Sequence, residues 1–430
     1  MVAFLMVILF IMLFAKVPIF VALAFSSLLT LMISGDLSVN IAAQRMFAGM
    51  DKFSLMAMPF FIFAADIMRR GGIAKRLLDF TLSIVGFMRG GLALTTQLAC
   101  MLFGALSGSS PATVAAMGGL MYPEMIAKGY KRAFSIGLIT VSGAVALLIP
   151  PSVTLIVYGT VTGVSVGALF MGGIMPGIVF GAVILAYSYY VARKENRPPD
   201  ANFSFREVLR TTKEAAWALG VPIIILGGIY FGVFTPTESA GVSAVYAAFV
   251  GMFIYKEFTW KSLMETALNS TITLVGVMII VAGASVFGWV LTVYQAPQLL
   301  ANFLMGPNTN QITFWIGVNI LFLLAGMFMD GVAATTILAP LVYPLAMNLG
   351  INPVHLGVTL TANTAIGQYT PPFGLNLFVA TGITKEPMLD IIRAVIPFIF
   401  LTLIALLIIT YWPDLTLLIP RLTYPESVGL

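Results

Sequence analysis

Apolar stretches long enough to cross a bilayer dominate this chain. They lie near 1–15, 17–34, 53–68, 133–165, 168–191, 218–234, 239–255, 268–293, 351–383 and 388–412. A spanning helix needs roughly 20 apolar residues. The first stretch has no basic region before it, and the next begins at Val17, so it reads as a transmembrane helix rather than a signal peptide. Two further stretches, near 92–122 and 312–345, are interrupted at their centres by Gly, Ser or Asp. These read as re-entrant hairpins that dip into the membrane and return to the same side. The longest polar segment, Arg193–Lys213, holds RKENRPPD and then a helical pattern from Phe205 to Trp217. It reads as an amphipathic arm along the inner surface.

Composition supports a chain solvated by lipid. Hydrophobic residues make up 60% of the 430 and charged residues 9%, and the mean hydropathy is +1.01. So few charges cannot cover a water-facing surface. The net charge of +5 belongs to basic loops and does not point to nucleic acid. A single cysteine, Cys100, excludes an internal disulfide framework and a cysteine metal cluster, and a single histidine, His355, argues against a histidine metal site. No GxxxxGK[ST] run is present to bind ATP.

Charge also orients the chain. With the N-terminus outside and both interrupted stretches read as hairpins, all of the 22 basic residues except Arg45, Lys52 and Arg421 fall inside, Lys16 among them. A full crossing by either hairpin would swap every later loop and destroy this bias. Ten crossings with both termini outside follow.

The chain repeats itself at an offset of 221 residues. Tyr122-Pro123 returns as Tyr343-Pro344, and Pro150-Pro151 as Pro371-Pro372. Gly129, Thr140, Thr160 and Pro176 match Gly350, Thr361, Thr381 and Pro397 at the same shift. Each repeat reads as hairpin, interrupted helix and plain helix. Five crossings lie between the two hairpins, so the second repeat is inverted. Inverted repeats around discontinuous helices are a transporter architecture.

The candidate chemistry lies at the interruptions. The first hairpin tip, Ser107-Gly108-Ser109-Ser110-Pro111-Ala112-Thr113, offers hydroxyls and unwound carbonyls suited to a hard cation, and a half-helix N-terminus suited to an anion. Small-residue helix packing is the competing explanation. Asp330, opposite Ser109 in the repeat, opens the second tip with Gly331. A carboxylate at membrane depth is costly, and sodium or a proton would neutralise it; it can also cap the helix that follows. The pairs Pro150-Pro151 and Pro371-Pro372 remove backbone donors and free carbonyls one turn earlier, as sites or as simple kinks. Ser142, Gly143, Asn363, Thr364 and Gln368 can add ligands upstream. In Phe234-Thr235-Pro236-Thr237-Glu238, at an outer turn, Thr237 can cap the next helix with Glu238 in its first turn. His355 falls in an outer loop.

The run FTPTESAGVSAVYA resembles the most specific signature of the large membrane subunit of tripartite ATP-independent periplasmic (TRAP) transporters. MPFFIFAADIMRRGGIAKRL, the SGSSPAT tip with YPEMIAKGYKR, and LIPPSVTLIVYG are similar to other motifs of that family, and the resemblance spans about 5–412. It implies an all-α, elevator-type inverted-repeat transporter of the bacterial inner membrane, with both termini periplasmic. Scaffold helices and an inner arm would occupy 1–90, the first transport repeat 91–191, a cytoplasmic arm 192–217, scaffold helices and a second arm 218–310, the second transport repeat 311–412 and a tail 413–430. Its partners would be a separate four-helix membrane subunit and a periplasmic substrate-binding protein. Sodium would be the coupling ion, with no other cofactor, and a carboxylate such as a C4-dicarboxylate or sialic acid the substrate. One sodium site would draw on Ser107, Gly108, Ser109, Ser110, Gly143, Ile149 and Pro150. The other would draw on Asp330, Gly331, Asn363, Gln368, Thr370 and Pro371. Substrate would meet Ser109, Ser110, Ser152, Asp330 and Asn376.

Two other classes compete. A channel needs a continuous polar pore, and no ring of charges or repeated filter sequence is present. An intramembrane enzyme needs a nucleophile–base pair or paired acids, whereas Asp66, Asp330 and Glu238 are scattered along the chain. A proton-coupled carrier stays open, since a carboxylate among hydroxyls serves either ion.

Overall fold

The computed structural model describes residues 1–15, 17–35, 40–70, 72–296 and 310–428. Lys16, expected on the inner side, and residues 297–309 of the expected second scaffold segment lie outside the described residues. Within them every regular element is a helix, apart from one isolated bridge between Arg89 and Pro199.

The N-terminal region holds α1 (Val2–Phe14), α2 (Ile19–Ser34), α3 (Asn40–Met50), α4 (Ala57–Arg70) and α5 (Ile73–Val85). The α3 and α4 segments meet at a 55° bend. The first repeat follows as α6 (Gly91–Ser107), α7 (Ser110–Ala127), α8 (Arg132–Ser142), α9 (Val153–Thr162) and α10 (Val166–Lys194). Then come α11 (Phe205–Tyr230), α12 (Pro236–Phe249) and α13 (Trp260–Val293). The second repeat is α14 (Gln311–Phe328), α15 (Gly331–Asn348), α16 (Pro353–Gly367), α17 (Leu375–Thr384) and α18 (Met388–Tyr411), and α19 (Asp414–Thr423) closes the chain.

Among the described residues seven helices are long and apolar enough to cross a membrane, or eight with the bent α3–α4 pair counted as one span. Two of the seven, α14 and α15, are the arms of the second hairpin. The stretches 133–165 and 351–383 are each split into half-helices on either side of a proline pair, and α1 and α2 are 13 and 16 residues long. Leu268, Ile272 and Val275 on α13 are exposed at helical spacing, an apolar face suited to lipid or a membrane partner.

Three expectations change. The arm and the crossing expected on either side of residue 217 form one unbroken helix, α11. Ser204 caps its start by accepting from the Glu207 N–H at 3.4 Å, and nothing between Phe205 and Tyr230 stops it. The cap of α12 is Thr235, not Thr237. Thr235 Oγ1 accepts from the Glu238 N–H at 3.3 Å, and the Glu238 carboxylate accepts from the Thr235 N–H at 2.8 Å. His355 is no loop residue: it is 3% exposed in the first turn of α16. Its ring nitrogens lie 2.8 Å from Thr416 Oγ1 and 3.1 Å from the Thr410 carbonyl, with Trp315 edge-on, so it joins α14, α16, α18 and α19.

The repeats interlock. Helix α7 of the first hairpin packs on α17, beyond the second proline pair, and α15 of the second hairpin packs on α9, beyond the first. Each hairpin is therefore braced by the other repeat. Helices α2, α3 and α4 pack on α13, α12 packs on α4 and α11, and α13 also touches α15.

Candidate functional site

The first tip forms because α6 ends at a glycine. Gly108 takes φ +58, a left-handed conformation that side chains resist. Ser109 then turns extended and α7 begins at Ser110-Pro111, proline being suited to a first turn. Ser107 Oγ and Thr113 Oγ1 share a 2.8 Å hydrogen bond, and Thr113 donates to the Ser109 carbonyl at 2.9 Å. The tip is fastened to its own interrupted helix. A Cβ on Gly108 would fall 2.3 Å from the Pro151 carbonyl oxygen, and one on Gly143 would fall 2.9 Å from the Ser110 carbonyl oxygen. The Ser107–Ser110 tip therefore adjoins Gly143 and the break at Pro151, and these contacts do not involve Ile149 or Pro150.

The second tip is built on Asp330, which occupies the same place before α15 that Ser109 occupies before α7. Asp330 Oδ1 accepts from the Val332 and Ala333 N–H groups at 2.8 and 3.0 Å, leaving Oδ2 to other partners. A Cβ on Gly331 would stand 3.1 Å from Thr154 Oγ1, 3.3 Å from Thr364 Oγ1 and 3.5 Å from Gln368 Nε2. Thr154 Oγ1 and Gln368 Oε1 are buried and have no hydrogen-bond partner. Buried polar oxygens normally have a partner, so two unpartnered ones on residues that share a cavity wall with Asp330 mark this region as a candidate ligand site. Thr154 comes from the first repeat, so this cluster spans both repeats. It was missed in sequence because nothing along the chain links Thr154 to Gly331.

Both tips open on one cavity of about 450 Å³, lined by Ser107–Ala112, Asp330–Val332, Thr154 and Gln368. Its opposite wall is α4 and α13, through Asp66, Arg69 and Thr273. A larger groove of about 830 Å³ runs beside Val242 and Phe249 on α12 and is lined by none of the tip residues.

Several expected ligands sit elsewhere. Asn376, expected at substrate, is fully buried and is not on the cavity wall: its Nδ2 donates to Ser110 Oγ at 2.7 Å and to the Thr140 carbonyl at 3.1 Å. It ties the first tip to the second break. Ser152 is also fully buried and caps α9, accepting from the Leu155 N–H at 3.3 Å. Asn363 donates to Asn319 Oδ1 at 2.8 Å and to the Thr359 carbonyl at 2.9 Å, while its own Oδ1 is an unpartnered buried oxygen. The Thr370 hydroxyl donates back to the Ile366 carbonyl at 2.7 Å, just before Pro371. Ser109, Ser110, Asp330, Gly331 and Gln368 are the expected residues that reach the shared cavity beside Ser107 and Gly108.

Residues 6–415 match the family described as tripartite ATP-independent periplasmic transporter, DctM component. The chain is 43% identical over 400 residues to the C4-dicarboxylate TRAP transporter large permease protein DctM of Pseudomonas aeruginosa, covering 93% of this chain and 94% of that protein. It is 36% identical over 411 residues to the sialic acid TRAP transporter large permease protein SiaM of Vibrio cholerae, covering 96% of each. The crystal structure of the Alcanivorax borkumensis YdaH transporter has a similar fold, with a TM-score of 0.63 and 14% identity over 87% of both chains.

Proposed function

Because the chain belongs to the DctM component family of tripartite ATP-independent periplasmic transporters, we propose that it imports an organic anion in symport with sodium. Its class is that of a large transporter permease, not an enzyme. The substrate is a carboxylate of the C4-dicarboxylate or sialic acid kind, following the substrates in its relatives' names. A periplasmic binding protein delivers it, and a small membrane subunit completes the carrier in the bacterial inner membrane. Both termini face the periplasm, and the hairpins are re-entrant, which keeps the basic loops inside.

The single observation behind the coupling is the second tip. Asp330, Thr154 and Gln368 line a cavity that the first tip also enters, and a buried oxygen of each of the latter two has no partner. Sodium there offsets a carboxylate that is costly at membrane depth. It also joins Thr154 of one repeat to Asp330 of the other. Binding that favours the substrate-loaded arrangement is what couples ion to solute. The interlocked repeats then move as one body against α4 and α13, in the manner of an elevator.

Proteoliposomes holding both membrane subunits, supplied with the binding protein, test this. An inward sodium gradient should drive saturable uptake of succinate or N-acetylneuraminate, and a proton gradient without sodium should not. Uptake on the proton gradient alone replaces sodium with a proton at Asp330. Non-saturable flux independent of the binding protein would instead indicate a channel.

A further inference from the structure

The cavity's fixed wall carries a charged group with no part in ion coupling. Asp66 and Arg69 stand one turn apart on α4, and both line the cavity. Ser270 on α13 donates to Asp66 Oδ2 at 2.7 Å, and Arg69 Nη2 donates to Asp66 Oδ1 at 3.3 Å. Asp66 is thereby held by α13 on one oxygen and holds Arg69 with the other.

Among the described residues that line the cavity Arg69 is the one cation, and the other charged members are Asp66 and Asp330. Two carboxylates without a cation would repel an incoming anion. The Arg69–Asp66 contact is a single one, longer than the usual charge-assisted bond of roughly 2.7–2.9 Å. The Arg69 side chain is 43% exposed. A guanidinium carries five N–H donors in a planar fork that matches a carboxylate, and the contact with Asp66 uses one of its nitrogens, Nη2.

We infer that Arg69 is a substrate-anion site: its guanidinium receives the carboxylate of the transported solute, and Asp66 and Ser270 position it. The inference rests on the organic-anion reading above. It places one end of the solute on the scaffold wall and the other at the hairpin tips. The contact belongs to this arrangement and breaks when the tips carry the solute past the wall.

Two measurements on the two-subunit protein test it. In the first, phenylglyoxal labels accessible arginines, and mass spectrometry reads the rate at Arg69 with and without succinate or N-acetylneuraminate. Saturating anion should slow labelling at Arg69 about tenfold and leave the exposed Arg210 unchanged. The second is uptake kinetics. Arg69→Gln should raise KM about tenfold with a smaller change in kcat, Arg69→Lys should recover part of the loss, and Ser270→Ala should raise KM to a lesser degree. An unprotected Arg69, or a wild-type KM in Arg69→Gln, overturns the assignment. If Arg69→Gln does not fold, the labelling of the wild-type protein decides. Protection without sodium-driven uptake keeps the anion site and overturns the symport reading. Uptake without protection does the reverse.

Discussion

A Cβ on Gly108 would lie 2.3 Å from the carbonyl oxygen of Pro151. The first hairpin tip and the first helix break are thus in backbone contact, and the residue between them has no room for a side chain. Gly108 also holds φ +58, which costs an L-residue roughly 1–2 kcal/mol by itself. Gly108→Ala is therefore expected to push the tip off the break, to lower the melting temperature and to remove uptake. Gly119, on the neighbouring helix α7, has nothing within 4 Å of its missing Cβ. Gly119→Ala should leave both measurements near wild type. Equal damage from the two would deny the tip its special contact.

Asp330 has two duties that substitutions separate. Its Oδ1 caps α15 through two N–H groups, and an asparagine keeps that acceptor while losing the charge. Asp330→Asn is expected to keep its fold and lose sodium-driven uptake, along with any rise of melting temperature with sodium at constant ionic strength. Asp330→Ala should lose the cap as well, at a further cost of about 0.5–2 kcal/mol. Sodium stabilisation that persists in Asp330→Asn would place the ion elsewhere.

The hairpins and breaks were legible because interruptions by Gly, Ser, Asp and Pro stand out in long apolar runs, and because one shift of 221 residues aligned them. Helix ends were less legible. The change from charged to apolar near Trp217 marks a change of solvent, not of backbone, and α11 runs through it and through Pro222. His355 shares the problem of Asn376. A polar residue near a turn or a break reads as loop or ligand in sequence, and only distant contacts reveal a structural role. His355 meets Thr410 and Thr416, 55 and 61 residues away; Asn376 meets Ser110, 266 residues away. By charge Arg69 belongs with the inner basic residues, and nothing local in the sequence links it to the cavity it lines.

The Asn376 amide joins the first tip to the second break and to α8. Asn376→Ala would leave Ser110 Oγ and the Thr140 carbonyl without this buried partner. Losing such bonds costs about 1–3 kcal/mol for each group left unsatisfied. A lower melting temperature is expected, with the KM for the solute near wild type in the protein that remains folded. A selective rise in KM at unchanged stability would return Asn376 to the substrate site.

Thr154 offers the sharpest separation of ion binding from folding. Its hydroxyl is buried beside Gly331 and makes no internal hydrogen bond. Thr154→Val therefore removes a polar group that contributes nothing to the protein's own bonding, and should change stability by less than about 1 kcal/mol or raise it. If that oxygen is a sodium ligand, the sodium concentration for half-maximal uptake should rise about tenfold, with the solute KM at saturating sodium changed less. Thr370→Val is the counterpart. Its hydroxyl is bonded to the Ile366 carbonyl at 2.7 Å, so its loss should lower the melting temperature more than it shifts the sodium response. A Thr154→Val protein with wild-type sodium dependence would remove the first repeat from the second ion site, and with it the proposed means by which the ion holds the two repeats together.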